Sequence, residues 1–80
     1  MDRSMLKRHL VSAERRASRG ELQLERQRAT VDALRNLGWD SLKAAALLVE
    51  FEQAQTLRLV DLDRLRGQLG TTLLAPRSPP

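Results

Sequence analysis

The sequence predicts an all-α protein of two long antiparallel helices, a helical hairpin or antiparallel coiled coil that pairs with a second copy into a four-helix bundle. Three observations carry that expectation. No proline precedes Pro76, and Leu, Ala, Arg, Glu and Gln, all good helix formers, dominate the chain. Apolar and small residues recur at alternating intervals of four and three through both halves, which is the heptad rhythm of paired helices, and no strand-like alternation interrupts it. Between the halves, "NLGWDS" at residues 36 to 41 sets a glycine two residues before an aspartate. One helix commonly stops on such a glycine and the next starts on such an aspartate.

The first helix is expected over about residues 4–36. Its seam reads Leu6, Leu10, Ala13, Ala17, Gly20, Leu24, Gln27, Val31 and Leu34. Ala13, Ala17 and Gly20 form a run of small residues that lets a neighbouring helix approach closely, with a bulky side chain such as Leu57 opposite. A glycine there without such a purpose would cost about 1 kcal/mol relative to alanine. Gln27 and its counterpart in the second half, Gln55, are polar residues in an apolar seam. Buried amides need partners, so either the pair fixes the register or both side chains reach out to water.

The turn is expected at 37–40. Gly38 supplies the left-handed residue that ends the first helix, and Asp40 caps the start of the second. Trp39, the chain's single tryptophan, is expected to pack its indole on Leu34 and near Ala44, closing the hairpin end rather than waiting for a ligand.

The second helix is expected over about 41–69. Its seam reads Ala44, Leu48, Phe51, Gln55, Leu62, Leu65 and Leu69, with one irregularity. Arg58 takes the strict heptad slot and Leu59 comes one residue late, which predicts a local slip in the packing. At about 1.5 Å per residue each helix is on the order of 45 Å long. The hairpin domain is set at 1–70. The remaining "TTLLAPRSPP" follows Gly67 and Gly70, ends in two prolines, and reads as a disordered tail over 71–80.

Eighty residues make one small domain, of a size that buries only about 60% of the surface its unfolded chain exposes. There is no cysteine to supply a disulfide or a thiolate zinc site, which leaves oligomerisation as the means of stabilisation. The sequence holds apolar residues in surplus of a two-helix seam: Leu22 in the first helix and Leu42, Leu47, Val49, Leu57 and Val60 in the second. A homodimer that buries this surplus is the expected assembly, with an unidentified protein partner as the further option; Leu22, Leu47, Leu57 and Val60 are the candidate contact residues. The N-terminal "MDRSMLKRHL" is charged, and the longest apolar run, residues 44–49, has six residues. Membrane insertion and secretion are not expected, and the cytoplasm is the expected compartment.

Chemistry finds little footing. His9 is the one histidine and is far more commonly a surface residue than a ligand in such a setting. Glu21 and Glu25 lie one turn apart but no Glu-x-x-His accompanies them, so a di-iron site of the bundle type is disfavoured. There is no glycine-rich phosphate loop, no His-Glu-x-x-His, and no serine or cysteine beside a base. No enzyme activity, cofactor or metal is expected. An interaction or scaffold role is the first reading.

Charge supplies the alternative. The net charge is +4 and the pI near 11.0. Residues 1–36 hold nine basic and five acidic side chains, so the excess belongs to the first helix. Arg8 and Arg15 share one outer heptad position and Arg19 and Arg26 another, giving a basic solvent face that could contact phosphates. With no tyrosine, and Trp39 and Phe51 the only aromatics, base stacking has almost no equipment, so any such binding is weak and directed at the backbone. Glu25 with Arg28, Asp32 with Arg35, Asp61 with Arg64 and Asp63 with Arg66 are spaced for intrahelical pairing.

The order of motifs, "LKRHL..AERR..RGE....RQR..V..L" then "GWDS..A.ALL..FE.AQ.L...D.DRL...L", resembles a set of short uncharacterised alphaproteobacterial proteins, especially common in rhizobia, over about residues 6 to 69. Where those proteins read Gly-His-Asp-Thr at the turn, this chain has Gly38, Trp39, Asp40 and Ser41. Arg58 stands where they often have a histidine. Both departures remove histidines and lower the prospect of a metal site. The resemblance implies no activity.

Overall fold

The computed structural model describes residues 2–74, the side chains of 71–74 excepted. It consists of two helices, α1 (Arg3–Asn36) and α2 (Leu42–Leu74), packed against each other. Cross-helix contacts pair Ala44 with Gln27, Gln55 with Ala17 and Arg66 with Glu14, descending along α1 as they ascend α2, so the helices are antiparallel. The molecule is long and thin, 69 × 19 × 15 Å.

Local chemistry sets the ends. Asp2 is the N-cap of α1: its Oδ1 accepts from the Met5 N–H at 2.8 Å while its carbonyl accepts the Leu6 N–H. At the other end Gly38, at φ +71°, carries the chain out of the helix. Its N–H donates to the Arg35 carbonyl and that of Trp39 to the Leu34 carbonyl, the paired bonds of a Schellman motif. Asp40 then opens α2 by accepting the Leu42 N–H on Oδ1 at 2.9 Å, and the Ser41 carbonyl accepts the first helical bond, from Ala45. The expected cap is present, with the helix beginning one residue further on.

The expected seam of α1 is the observed one. Leu6, Leu10, Ala13, Ala17, Gly20, Leu24, Gln27, Val31 and Leu34 are buried or half-buried, and every other described residue of α1 is exposed. Leu6, Ala13, Ala17, Leu62 and Leu65 form the core cluster, flanked by Leu10 and Leu69, so the best-packed part lies away from the turn. Towards the turn, α2 offers Ala44, Leu48 and Phe51, all only half-buried. Two helices meet along one stripe, and in this half nothing covers the outer edges of that stripe.

Several expectations need correction. The packing does not slip at Leu59. The heptad continues through half-buried Arg58, and Leu59 is exposed. An arginine fits there because its aliphatic stem can follow the seam edge while the guanidinium lies over Gly20, where Nη1 donates to Gln55 Oε1 at 3.5 Å. Leu57 does not pack into the run of small residues, although it borders a shallow pocket with Ala13. It is 70% exposed, because it lies two residues, about 200° of helix rotation, from the inward-facing Gln55. The Trp39 indole does not close the hairpin: it is 64% exposed. The Schellman bonds are made by its backbone, and a pair of helices offers no third surface at its end to cover so large a ring. Finally, α2 does not stop at residue 69. Residues 71–74, expected in the tail, are helical. The two glycines weaken a helix without ending one. The rest of the expected disordered tail, 75–80, lies outside the described residues.

Of the four intrahelical ion pairs that the spacing predicts, Asp61–Arg64 forms among the described residues, at 2.6 Å. Arg66 turns from Asp63 to Glu14 of α1, at 3.9 Å. It flanks the seam, and the facing helix offers it a carboxylate.

Candidate interaction site

Three surface features stand out, each traceable to helix periodicity. The first is a notch. Gln55 is 3% exposed and its Nε2 donates to the Ala17 carbonyl at 2.8 Å. Ala17 and Gly20 are one turn apart, and the missing side chain at Gly20 opens the space beside that carbonyl. A Cβ built on Gly20 would overlap Gln55 Oε1 and lie 2.9 Å from its Cδ. A carbonyl has two lone pairs, so Ala17 can keep its helical bond and accept the amide as well. Gln27 makes the matching contact towards the turn, donating through Nε2 to the Ala44 carbonyl at 2.9 Å. Both seam glutamines therefore point inward, each tied to the backbone of the opposite helix, and among the described residues no buried side-chain polar atom lacks a partner.

The second feature is a groove of about 660 Å³ along one flank of the hairpin. Arg16, Arg19 and Arg26 of α1 and Arg58 of α2 line it, with Phe51, Leu22 and Gly20 as the apolar part and Gln23 and Gln27 as neutral polar groups; no carboxylate does. Of the basic face read from the sequence, Arg19 and Arg26 belong to this groove. Arg15 shares a neighbouring surface with Arg19, Val11 and Glu14, where Arg19 Nε donates to the Arg15 carbonyl at 3.4 Å. Arg8 does not line the groove. Sequence reasoning missed Arg16 and Arg58, yet half of the signal was there. In the heptad frame of α1, Glu14, Glu21, Glu25 and Asp32 all fall on one side of the seam, whereas Arg16, Arg19 and Arg26 fall on the other with no carboxylate among them. The opposite groove shows this polarity, lined by Glu14 and Glu21 with Arg66.

The third feature is the back of α2. Leu42, Ala46, Val49, Gln53, Leu57 and Val60 are all exposed and uncharged, and their spacing returns every 11 residues, which aligns them as one nearly straight stripe. Leu42 is 76% and Val60 61% exposed. Of the four expected contact residues, the stripe collects Leu57 and Val60. Leu22 lies in the arginine groove on α1, and Leu47, 39% exposed, sits on the flank of α2.

His9 is exposed, and among the described residues no three His, Asp or Glu side chains gather to hold a metal ion. No described helix is long and apolar enough to cross a membrane. The fold and these surfaces define a two-helix hairpin with an uncharged stripe on its back and an arginine-lined groove on one flank. Compared with protein-family models, with curated proteins and with solved structures, the chain matches none.

Proposed function

We propose that this protein works by association rather than catalysis, as a small helical interaction or scaffold module whose working unit is a homodimer. The stripe from Leu42 to Val60 on α2 carries the reading. It presents four large aliphatic side chains and no charge over about 27 Å of helix. Exposed apolar surface of that kind is costly in water and marks an interface. Two copies that pack these stripes antiparallel about a two-fold axis make a four-helix assembly in one layer, with α2 helices inside and α1 helices outside. The thin core argues the same way. Of the seven buried hydrophobic residues, two are alanines, which is little for a hairpin of this length to stand on alone. The same reading places the protein in the cytoplasm, since a chain without cysteine draws nothing from an oxidising compartment. Multi-angle light scattering at micromolar concentration tests it: the expected mass is twice 9.1 kDa, and a fully helical monomer overturns it.

Association with a nucleic-acid backbone is the second reading, favoured by the net charge of +4 and the arginine-lined groove. Binding to duplex DNA at ~50 mM salt that weakens with a log–log slope of about −0.9 per neutralised phosphate supports it. No binding at that salt removes it.

A further inference from the structure

We propose that the arginine-lined groove is a docking site for an acidic amphipathic helix of a partner protein. Charge complementarity selects the partner. Arg16, Arg19, Arg26 and Arg58 border one groove that no carboxylate lines. The carboxylate just beyond it, Asp61, is engaged by Arg64 at 2.6 Å. On α1, Glu14 and Glu21 line the opposite groove, and Glu14 also borders the surface shared by Arg15 and Arg19. Four guanidinium groups so placed repel one another and concentrate positive potential on one flank, which an anionic ligand relieves.

Shape selects a helix. Arg16 and Arg26 are ten residues apart on α1, about 15 Å or three helical turns. Between the arginines lie Phe51, half-buried, and Leu22. A helix set along this flank places an i, i+3, i+4, i+7 apolar stripe on those two side chains. Its glutamates at either edge then meet the guanidinium groups, which donate to carboxylates in a bidentate fork. A nucleic-acid strand is a poorer match. Phe51 is the groove's one aromatic residue and its half-burial leaves little ring face for a base. The inference does not rest on homodimerisation, because no residue of the uncharged stripe lines the groove, although Leu57 borders Arg16 and Arg58 in a smaller adjoining pocket.

The test is fluorescence anisotropy with the full chain and a labelled amphipathic peptide of about 18 residues, five turns, with a leucine stripe edged by glutamates. A copy with glutamine for every glutamate and a random single strand of ~20 nucleotides serve as comparisons. The acidic peptide is expected to bind with micromolar affinity at about 100 mM salt, at least ~10-fold more tightly than the glutamine copy. The double variant Arg19→Gln, Arg26→Gln alters two exposed side chains, so its circular dichroism should match the parent while its affinity falls about 10-fold or more. Equal binding of both peptides, binding by neither, or an unchanged affinity in the double variant overturns the proposal. Tighter binding of the strand than of the acidic peptide also overturns it, in favour of a nucleic-acid partner. Dimer mass is read separately, so failure of one reading leaves the other standing.

Discussion

The side-chain amide of Gln55 fills the space that a Cβ on Gly20 would take, and from there it donates to the carbonyl of Ala17 at 2.8 Å. A glycine inside a helix costs about 1 kcal/mol relative to alanine, and here that cost is offset by a buried, hydrogen-bonded cross-helix contact. Gly20→Ala is therefore expected to destabilise the protein, by about 1–3 kcal/mol net, because the amide loses its place and its partner. Gly67→Ala is expected to do the reverse and stabilise by about 0.5–1 kcal/mol, since Gly67 is helical and a Cβ there meets nothing within 4 Å. Urea titrations of the two variants give the comparison. Adding Gln55→Ala to Gly20→Ala should cost less than the sum of the two single losses, and a double loss equal to that sum would show that the two positions are not coupled.

The hairpin end separates backbone from side chain. Gly38 sits at φ +71° with open space around it, so Gly38→Val should lose about 2 kcal/mol through backbone strain alone, and Gly38→Asn clearly less. Trp39→Ala, at an exposed position, should shift stability by no more than about 0.5 kcal/mol. The intact indole should be freely quenched by acrylamide. A shielded indole, or a steep loss of melting temperature in Trp39→Ala, would mean that the ring packs on the hairpin after all.

Capping by Asp40 can be read the same way. Its Oδ1 satisfies the Leu42 N–H, and Asp40→Ala should cost about 1 kcal/mol in thermal unfolding, with Asp40→Ser retaining most of the stability. Equal losses in the two variants would assign the effect to charge at the helix start, which serine lacks, rather than to the hydrogen bond.

Assembly is tested on the back of α2. Leu57→Glu with Val60→Glu puts two carboxylates per chain into the proposed interface, and the scattering mass should fall from twice 9.1 kDa to 9.1 kDa at concentrations where the parent is dimeric. Leu22→Glu, on α1 and away from the stripe, should leave the mass of the parent unchanged. If Leu22→Glu breaks the dimer and the α2 pair does not, then α1 forms the interface.

Most of the fold was legible without coordinates. Seam positions in α1 follow from the intervals between Leu6 and Leu34, because 3.6 residues per turn puts residues three and four apart on the same face whatever they pack against. The turn follows from Gly38 and Asp40, since caps act within a few residues of chain, whereas the far end of α2 was set too early, at Gly70. A sequence read for apolar spacing also marked Gln27, Gln55 and Gly20 as seam positions. It did not say that Gln55, rather than Leu57, fits against Gly20. That depends on how the two helices are offset along each other and rotated about their axes, quantities that heptad spacing leaves free. Arg58 and Arg19 are 39 residues apart in the chain, and only the antiparallel packing brings them to one groove. Trp39 marks the same boundary from the other side. Its backbone role was written in the residues around it, but burial of its indole required a surface that a hairpin of two helices does not have.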